Sequence, residues 1–309
     1  MTKQNLSVAT KVILLLGIIL FTVLPLTISE IQGSTDFTIY DHNVRYAASR
    51  IKRSSKELSW SERKNGVINA IKSETKDYPS LVGLQETDLS QLKDILQGLN
   101  EDESISNNWK YYGCGRNDGK EKGEYSPILY KESDWKLISG STKWLSLTPD
   151  KPSKYPGADK NRIVTITTFM HRSSGKVVNF LNTHLDHKSK EAREYSANLI
   201  SDYIKQLPHK FPTFLIGDFN SKESDVAYDI ISDTMLDSSK VSEIVSGSEL
   251  DTFSGFGNKK EFNIDFIWSF NSSDSYSTVT PTSYTVIDNY MENGYRFSDH
   301  RPIVARYLI

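Results

Sequence analysis

The sequence is poor in cysteine. Cys114 stands alone among 309 residues. An intramolecular disulfide is therefore excluded, and with it a disulfide scaffold or a cysteine-rich zinc module. An excess of positive charge is also missing. The chain has 37 Lys and Arg against 39 Asp and Glu, a net charge of -2. That excludes tight, sequence-blind duplex DNA binding driven by overall charge, but not a local basic groove. Repeats with a period of roughly 20–50 residues are absent. No long low-complexity linker divides residues 30–309. The 37% hydrophobic and 25% charged fractions are those of an ordinary globular chain and exclude an intrinsically disordered one.

The one long apolar run lies at the amino terminus. Lys3 and Lys11 precede VILLLGIILFTVL at residues 12–24, Pro25 follows, and Thr27 and Ser29 are small. This pattern fits a secretory signal peptide over residues 1–29, leaving 30–309 as the mature domain. The run is shorter than the ~20 apolar residues of a spanning helix. Extended through Ile28 it gives a marginal signal anchor with Pro25 inside it. A secreted or lumenal location is expected, with a type II membrane anchor as the alternative, and a membrane is a partner only if the segment stays uncleaved. The folded domain is expected to be a monomer. Asn271-Ser272-Ser273 is an N-glycosylation pattern. A single free cysteine is tolerated in an oxidising compartment if buried.

Short strands alternate with few helices. Periodicity predicts strands at 37–40, 81–84, 109–114, 127–130, 162–170, 177–183, 213–216, 266–268 and 303–307. It predicts a helix over 61–73 capped by Ser61, an amphipathic helix over 89–99, and a helix over 188–205 with Ala192, Tyr195, Leu199 and Ile200 inward. The Pro-, Lys- and Gly-rich stretch 148–160 reads as a long surface loop, a common carrier of function. The sum is a mixed α/β domain with a large sheet core.

Several apolar strands stop abruptly at residues able to hold metal or phosphate. Leu81 to Leu84 ends in Gln85-Glu86, Val178 to Leu181 in Asn182-Thr183-His184, and Phe214 to Ile216 in Gly217-Asp218-Phe219-Asn220. Asp265 starts an apolar strand, and Ser298-Asp299-His300 precedes the last one. Taken singly, Glu86 reads as a helix cap, His184 as a rim residue, Asp218-Phe219-Asn220 as a turn, and Asp299-His300 as a cap. Taken together they read as one site mounted on strand ends, where a rigid frame suits catalysis. Carboxylates without cysteine suit hard Mg²⁺ or Mn²⁺.

These segments resemble the signature of the endonuclease/exonuclease/phosphatase superfamily, which includes deoxyribonuclease I, abasic-site endonucleases, deadenylases, sphingomyelinases and inositol polyphosphate 5-phosphatases. The match runs from about Thr38 to Leu308 in the family's order. Trp60-Ser61-Glu62-Arg63, the Gly115 to Lys120 and Gly123 to Ile128 segments, and Thr148 to Ser153 resemble a secreted bacterial and fungal branch with some similarity to deadenylase-like exonucleases. The resemblance implies a four-layer αββα sandwich. It implies a metal site of Asn43, Glu86 and Asp299, with Asp299 either binding metal or orienting a neighbour. His184, Asp218, Asn220, Asp265 and His300 are the implied catalytic set, with Asp265 partnering His300. Arg116 and Arg162, and more weakly Lys120, are candidates for substrate phosphate. The implied activity is divalent-metal-dependent phosphoester hydrolysis, as a phosphodiesterase or nuclease of 3′–5′ exonuclease type acting on nucleic acid or a small phosphoester. A membrane-anchored lipid, inositol or sugar phosphatase, and an inactive binding module of the same fold, are the alternatives.

Overall fold

A computed structural model describes residues 34–101, 108–207, 211–257, 260–270 and 279–309. The apolar run at 12–24 and the glycosylation triplet at 271–273 lie outside the described residues. Among those residues, no helix is long and apolar enough to cross a membrane.

In chain order the strands are β1 (Asp36–Asn43), β2 (Ser80–Gln85), β3 (Trp109–Tyr112), β4 (Ile128–Lys131), β5 (Trp135–Trp144), β6 (Ile163–His171), β7 (Val177–His184), β8 (Thr213–Asp218), β9 (Leu236–Asp237), β10 (Ile244–Ser246), β11 (Asp265–Phe270), β12 (Thr280–Val286) and β13 (Ile303–Leu308). The main helices are α1 (Trp60–Glu74), α2 (Leu89–Asn100), α3 (Lys190–Gln206) and α4 (Val226–Ser232). One mixed sheet has the order β10-β12-β13-β1-β2-β4-β3, and the other β5-β6-β7-β8-β11-β9. Phe37, Ile39, Leu81, Phe180, Phe214 and Ile267 fill the space between the sheets. Val67, Ile71, Leu92 and Ile95 of α1 and α2 cover the outer face of the first sheet. Ala197, Ile200 and Ile231 of α3 and α4 cover the second. The result is the four-layer sandwich.

Several expectations shift for local reasons. Helix α1 starts one residue early, and Ser59 replaces Ser61 as its cap because the Glu62 carboxylate reaches back to accept from Ser59 N at 2.8 Å. Helix α2 is closed by Asp88, whose side chain accepts from Gln91 N. On α3, Ala192 and Ile200 point inward, but Tyr195 and Leu199 are only half-buried. Tyr195 stacks on Tyr155 at 4.5 Å and donates to Ser146 O, which moors the 148–160 loop to the helix. Strands β5 and β12 escape sequence detection because β5 is a largely exposed edge strand and β12 is rich in Thr and Ser.

A buried polar seam joins the two sheets. Gln85 Nε2 donates to Asp41 Oδ1 at 2.7 Å and to Asn182 Oδ1 at 2.8 Å. Asn182 Nδ2 donates to Leu84 O and Pro127 O. Burial first, and then the Asp265 charge, pushes the Asp41 carboxyl well above the ordinary carboxylate range. The bonds from Gln85 and Asn182 cross between the two sheets and hold them in one relative placement.

Candidate active site

Register brings the polar strand ends to one rim. β1 and β2 run parallel, with Asn43 opposite Gln85. β7 and β8 run parallel, with His184 opposite Asp218, and Asp265 sits across from Asp218. Asp41 pairs with Ile303, so the residues entering β13 lie beside the end of β1. Among the described residues, three non-glycine residues adopt positive φ, and all three are here: Arg45 (62°), Glu86 (60°) and Asn220 (47°). Such backbone turns a side chain back over the strand end at some conformational cost. Gly217 has φ 142°, and a Cβ there would fall 2.0 Å from Thr183 O. Only glycine lets β8 pass β7 this closely just before Asp218.

Asp218 is the hub. Its Oδ1 accepts from Asn220 N at 2.8 Å, and its Oδ2 accepts from Asn43 Nδ2 at 2.9 Å. His184 Nε2 lies 3.3 Å and His300 Nε2 3.8 Å from Oδ2. Burial, then the Asp265 charge, pushes the Asp218 carboxyl up to about 7. His300 Nδ1 donates to Asp265 at 2.9 Å, and Thr252 Oγ1 donates to the same carboxylate at 2.6 Å. Burial alone would drive the His300 pKa down. The charges of Asp265 and Asp218 outweigh it and hold the imidazolium up to about 10. Asn289 Nδ2 donates to Ser298 O and His300 O, fixing the turn that carries the histidine. The Phe253 ring meets His300 edge-on at 5.0 Å.

His184 behaves differently. Burial and then the nearby Arg162 and Arg116 charges push it well below its ordinary value, so it is neutral. Its Nε2 faces Asn220 Nδ2 at 3.0 Å, and Asn220 Nδ2 also donates to Leu185 O at 3.1 Å. The neutral ring thus orients Asn220, whereas sequence reasoning treated it as a donor to the transition state.

Glu86 accepts from Tyr46 N at 2.9 Å and from Asn43 Nδ2 at 3.2 Å. Burial opposes its ionisation, but the Arg45 charge and the Tyr46 N–H hold it below the ordinary glutamate value. Arg45 stands between Glu86 (3.9 Å) and Asp299 (4.0 Å) and is bonded to Glu57 at 3.2 Å. Burial pushes Asp299 upward against the charges of His300 and Arg45, and its Oδ1 is buried without a hydrogen-bond partner. Asn43 Oδ1 accepts from Arg45 N, so Asn43 ties the Glu86 and Asp218 carboxylates together through its amide nitrogen and does not offer them its oxygen. Asp218, Asp265 and His300 bring one donor atom each within 4.8 Å of one another. His300 is already bonded to Asp265, so this trio forms an acid–base chain. The oxygen donors of Glu86 and Asp299, one of them unpartnered, fit a hard divalent cation.

These groups line a cleft of about 360 Å³. Part of the lining is charged or polar: Arg116, Arg162, Lys160, His187 and Glu124. Another part is apolar or aromatic: Phe253, Phe262, Ile264 and the exposed Tyr46. Arg116 donates to Glu124 at 2.6 Å and its Nε has no partner. Arg162 reaches His187 at 3.1 Å and Asp186 at 3.7 Å, and its Nη1 is unpartnered. Lys120 is exposed and does not line the cleft. Sequence reasoning missed Lys160, Tyr46, Thr252, Asn289 and the roles of Arg45 and Glu124. Glu124 and Lys160 stand in segments already singled out, whereas Tyr46, Thr252 and Asn289 sit in irregular segments with no periodic or motif signal.

The endonuclease/exonuclease/phosphatase family model matches residues 42–300. A family protein from Bacteroides thetaiotaomicron is 30% identical, covers 90% of this chain and 99% of its own, and superposes with a TM-score of 0.78. The mannosyl-6-phosphatase Bt3783 of B. thetaiotaomicron VPI-5482 is 29% identical, with coverages of 88% and 100% and a TM-score of 0.77. The human Nocturnin catalytic domain shares the fold at 15% identity, with coverages of 88% and 93% and a TM-score of 0.64. No curated protein sequence matches the chain.

Proposed function

The chain belongs to the endonuclease/exonuclease/phosphatase family, whose members hydrolyse phosphoesters, and from that premise we propose that it is a divalent-metal-dependent hydrolase of a small hydroxylated phosphomonoester, a sugar phosphate being the preferred class. The observation that carries this reading is the cleft itself. It is a bounded pocket of ligand size in which the Glu124 carboxylate is interleaved with Arg116, Arg162 and Lys160. Cations suit the phosphate, and an arginine–carboxylate pair suits neutral hydroxyls. A run of phosphates would meet repulsion at Glu124. The 29% identity to a mannosyl-6-phosphatase points the same way.

Glu86 and Asp299 would hold the cation, with Asn43 tying the Glu86 carboxylate to that of Asp218. When bound, Mg²⁺ or Mn²⁺ supplies charge neutralisation of the phosphoryl group and the leaving oxygen. Asp218, poised near neutrality, accepts the proton of the attacking water. His300, held charged by Asp265, donates to a phosphoryl oxygen as negative charge builds. Asn220, oriented by neutral His184, adds an amide donor. Arg116 and Arg162, both in the cleft lining, would offer guanidinium N–H donors to the same phosphate. A phosphodiesterase acting on short oligonucleotides is the second reading. Tyr46, in the cleft lining and 41% exposed, offers it a stacking surface for a base. The apolar run at 12–24 supports a secreted or lumenal setting, with a membrane-bound form as the alternative.

The test is a hydrolysis panel with and without Mg²⁺ or Mn²⁺. Its substrates are hexose 6-phosphates, inositol phosphates, p-nitrophenyl phosphate, bis-p-nitrophenyl phosphate, single-stranded DNA and poly(A). The expected result is metal-dependent phosphate release from sugar phosphates, abolished by Asp218→Asn. Cleavage of diesters alone would replace the first reading with the second. No turnover by a folded, metal-binding protein would reject both.

A further inference from the structure

Arg63 lies on α1, outside the cleft lining, yet it is only 1% exposed. Among the described residues no carboxylate comes within ion-pair distance of it. Its guanidinium is spent on backbone carbonyls. Nη1 donates to Val44 O at 2.5 Å and Phe297 O at 3.1 Å, and Nη2 donates to Arg45 O at 2.5 Å and Tyr46 O at 3.3 Å. The Trp60 ring covers it at 5.0 Å. For fold stability alone this is an expensive device, since burying an unpaired cation costs more than burying an apolar side chain.

The recipients of these bonds explain it. Arg45 O and Tyr46 N belong to one peptide unit, and in a trans peptide C=O and N–H point in opposite directions. The carbonyl end is held by Arg63 Nη2 and by Gln91 Nε2 at 3.0 Å. The N–H end donates to Glu86 Oε2 at 2.9 Å. Fixing the oxygen therefore fixes the direction of the N–H, and polarising the peptide strengthens the bond to the carboxylate. The positive φ of Arg45 makes this arrangement available. The bond to Phe297 O secures the segment two residues before Asp299.

We infer that Arg63 is a positioning residue that presents Glu86 and Asp299 to the divalent cation, acting through the 45–46 peptide and the Phe297 carbonyl. The inference rests on the hydrolase reading for the identity of the cation pocket. It also accounts for the Trp60 to Arg63 segment, which the reaction chemistry alone leaves without a role. Its requirement is geometric. Lysine keeps the charge but cannot span four carbonyls with a planar fork.

The experiment is calorimetric titration of the full chain with Mn²⁺, on wild type, Arg63→Lys and Gln91→Ala, with thermal midpoints recorded without metal. Mn²⁺ affinity should weaken about tenfold in Arg63→Lys, as for loss of an outer-shell partner, and in the same direction in Gln91→Ala. A lowered midpoint with Mn²⁺ affinity within about twofold of wild type would reduce Arg63 to a structural role and overturn the inference. If Arg63→Lys does not fold, unchanged Mn²⁺ binding by Gln91→Ala overturns it equally. Failure of the wild type itself to bind Mn²⁺ would reject the metal-dependent reading, and the inference with it.

Discussion

Asp265→Asn removes one charge at nearly constant shape. Thr252 Oγ1 and the His300 ring both keep a partner at position 265, so packing is preserved. The electrostatic loss is large. At 2.9 Å and an effective dielectric of ~20, a unit charge pair is worth about 6 kcal/mol, or about 4 pKa units. The His300 pKa should therefore fall from about 10 to roughly 6, with the more distant Asp218 as its remaining counter-charge. The folded pKa of His300 lies above its ordinary 6.5. Its ion pair thus stabilises the wild type fully below about 6.5, and that contribution is lost as pH rises through about 10. The gap between wild-type and variant thermal midpoints should be widest in mildly acid and neutral solution and should close in alkaline solution. Direct observation comes from the His300 ring Cε1–H resonance in metal-free protein, assigned by its disappearance in His300→Asn. The wild-type signal should stay in its protonated position through neutral pH, and the variant's should titrate there. Turnover at neutral pH should drop by at least about a hundredfold, the scale of a lost acid–base group. An unchanged His300 titration in Asp265→Asn would refute the charge-holding role.

Two further substitutions separate metal binding from folding. Glu86→Gln should lower Mg²⁺-supported turnover at least about a hundredfold while far-ultraviolet circular dichroism is retained, and a near-normal rate would sink the assignment of Glu86 to the cation. Gly217→Ala forces a Cβ into the positive-φ backbone and against Thr183 O. It should cost about 3 kcal/mol or more and lower the thermal midpoint by ~5–10 °C, and an unshifted midpoint would show that β7 and β8 can part without penalty.

Legibility in the sequence followed the physics of each residue. Glu86, Asp218 and His300 were visible because each interrupts or adjoins an apolar strand, where a buried polar group needs a reason. The four layers were accessible through the family resemblance, whereas periodicity alone supported only a mixed α/β domain. Edge strand β5 was silent because exposed strands lack an apolar face. Arg63 could be quoted from its segment but not understood. A cation on a helix reads as solvated, and its partners lie 17–19 and 234 residues away. Thr252 and Asn289 were hidden for the same reason, since their partners are distant backbone or carboxylate atoms.

The polar seam has a consequence for how the molecule fails. Glu86 and Asn43 ride on one sheet, and His184, Asp218 and Asp265 on the other. Neither half contains a complete site. Proteins commonly open in sub-global units that leave the rest intact, but here any opening that parts the sheets also disperses the reacting groups. Fraying of the outer helices leaves the rim assembled. Activity should therefore track the cohesion of the two sheets, and a partly unfolded molecule with parted sheets would be inert, with no half-active state between native and silent.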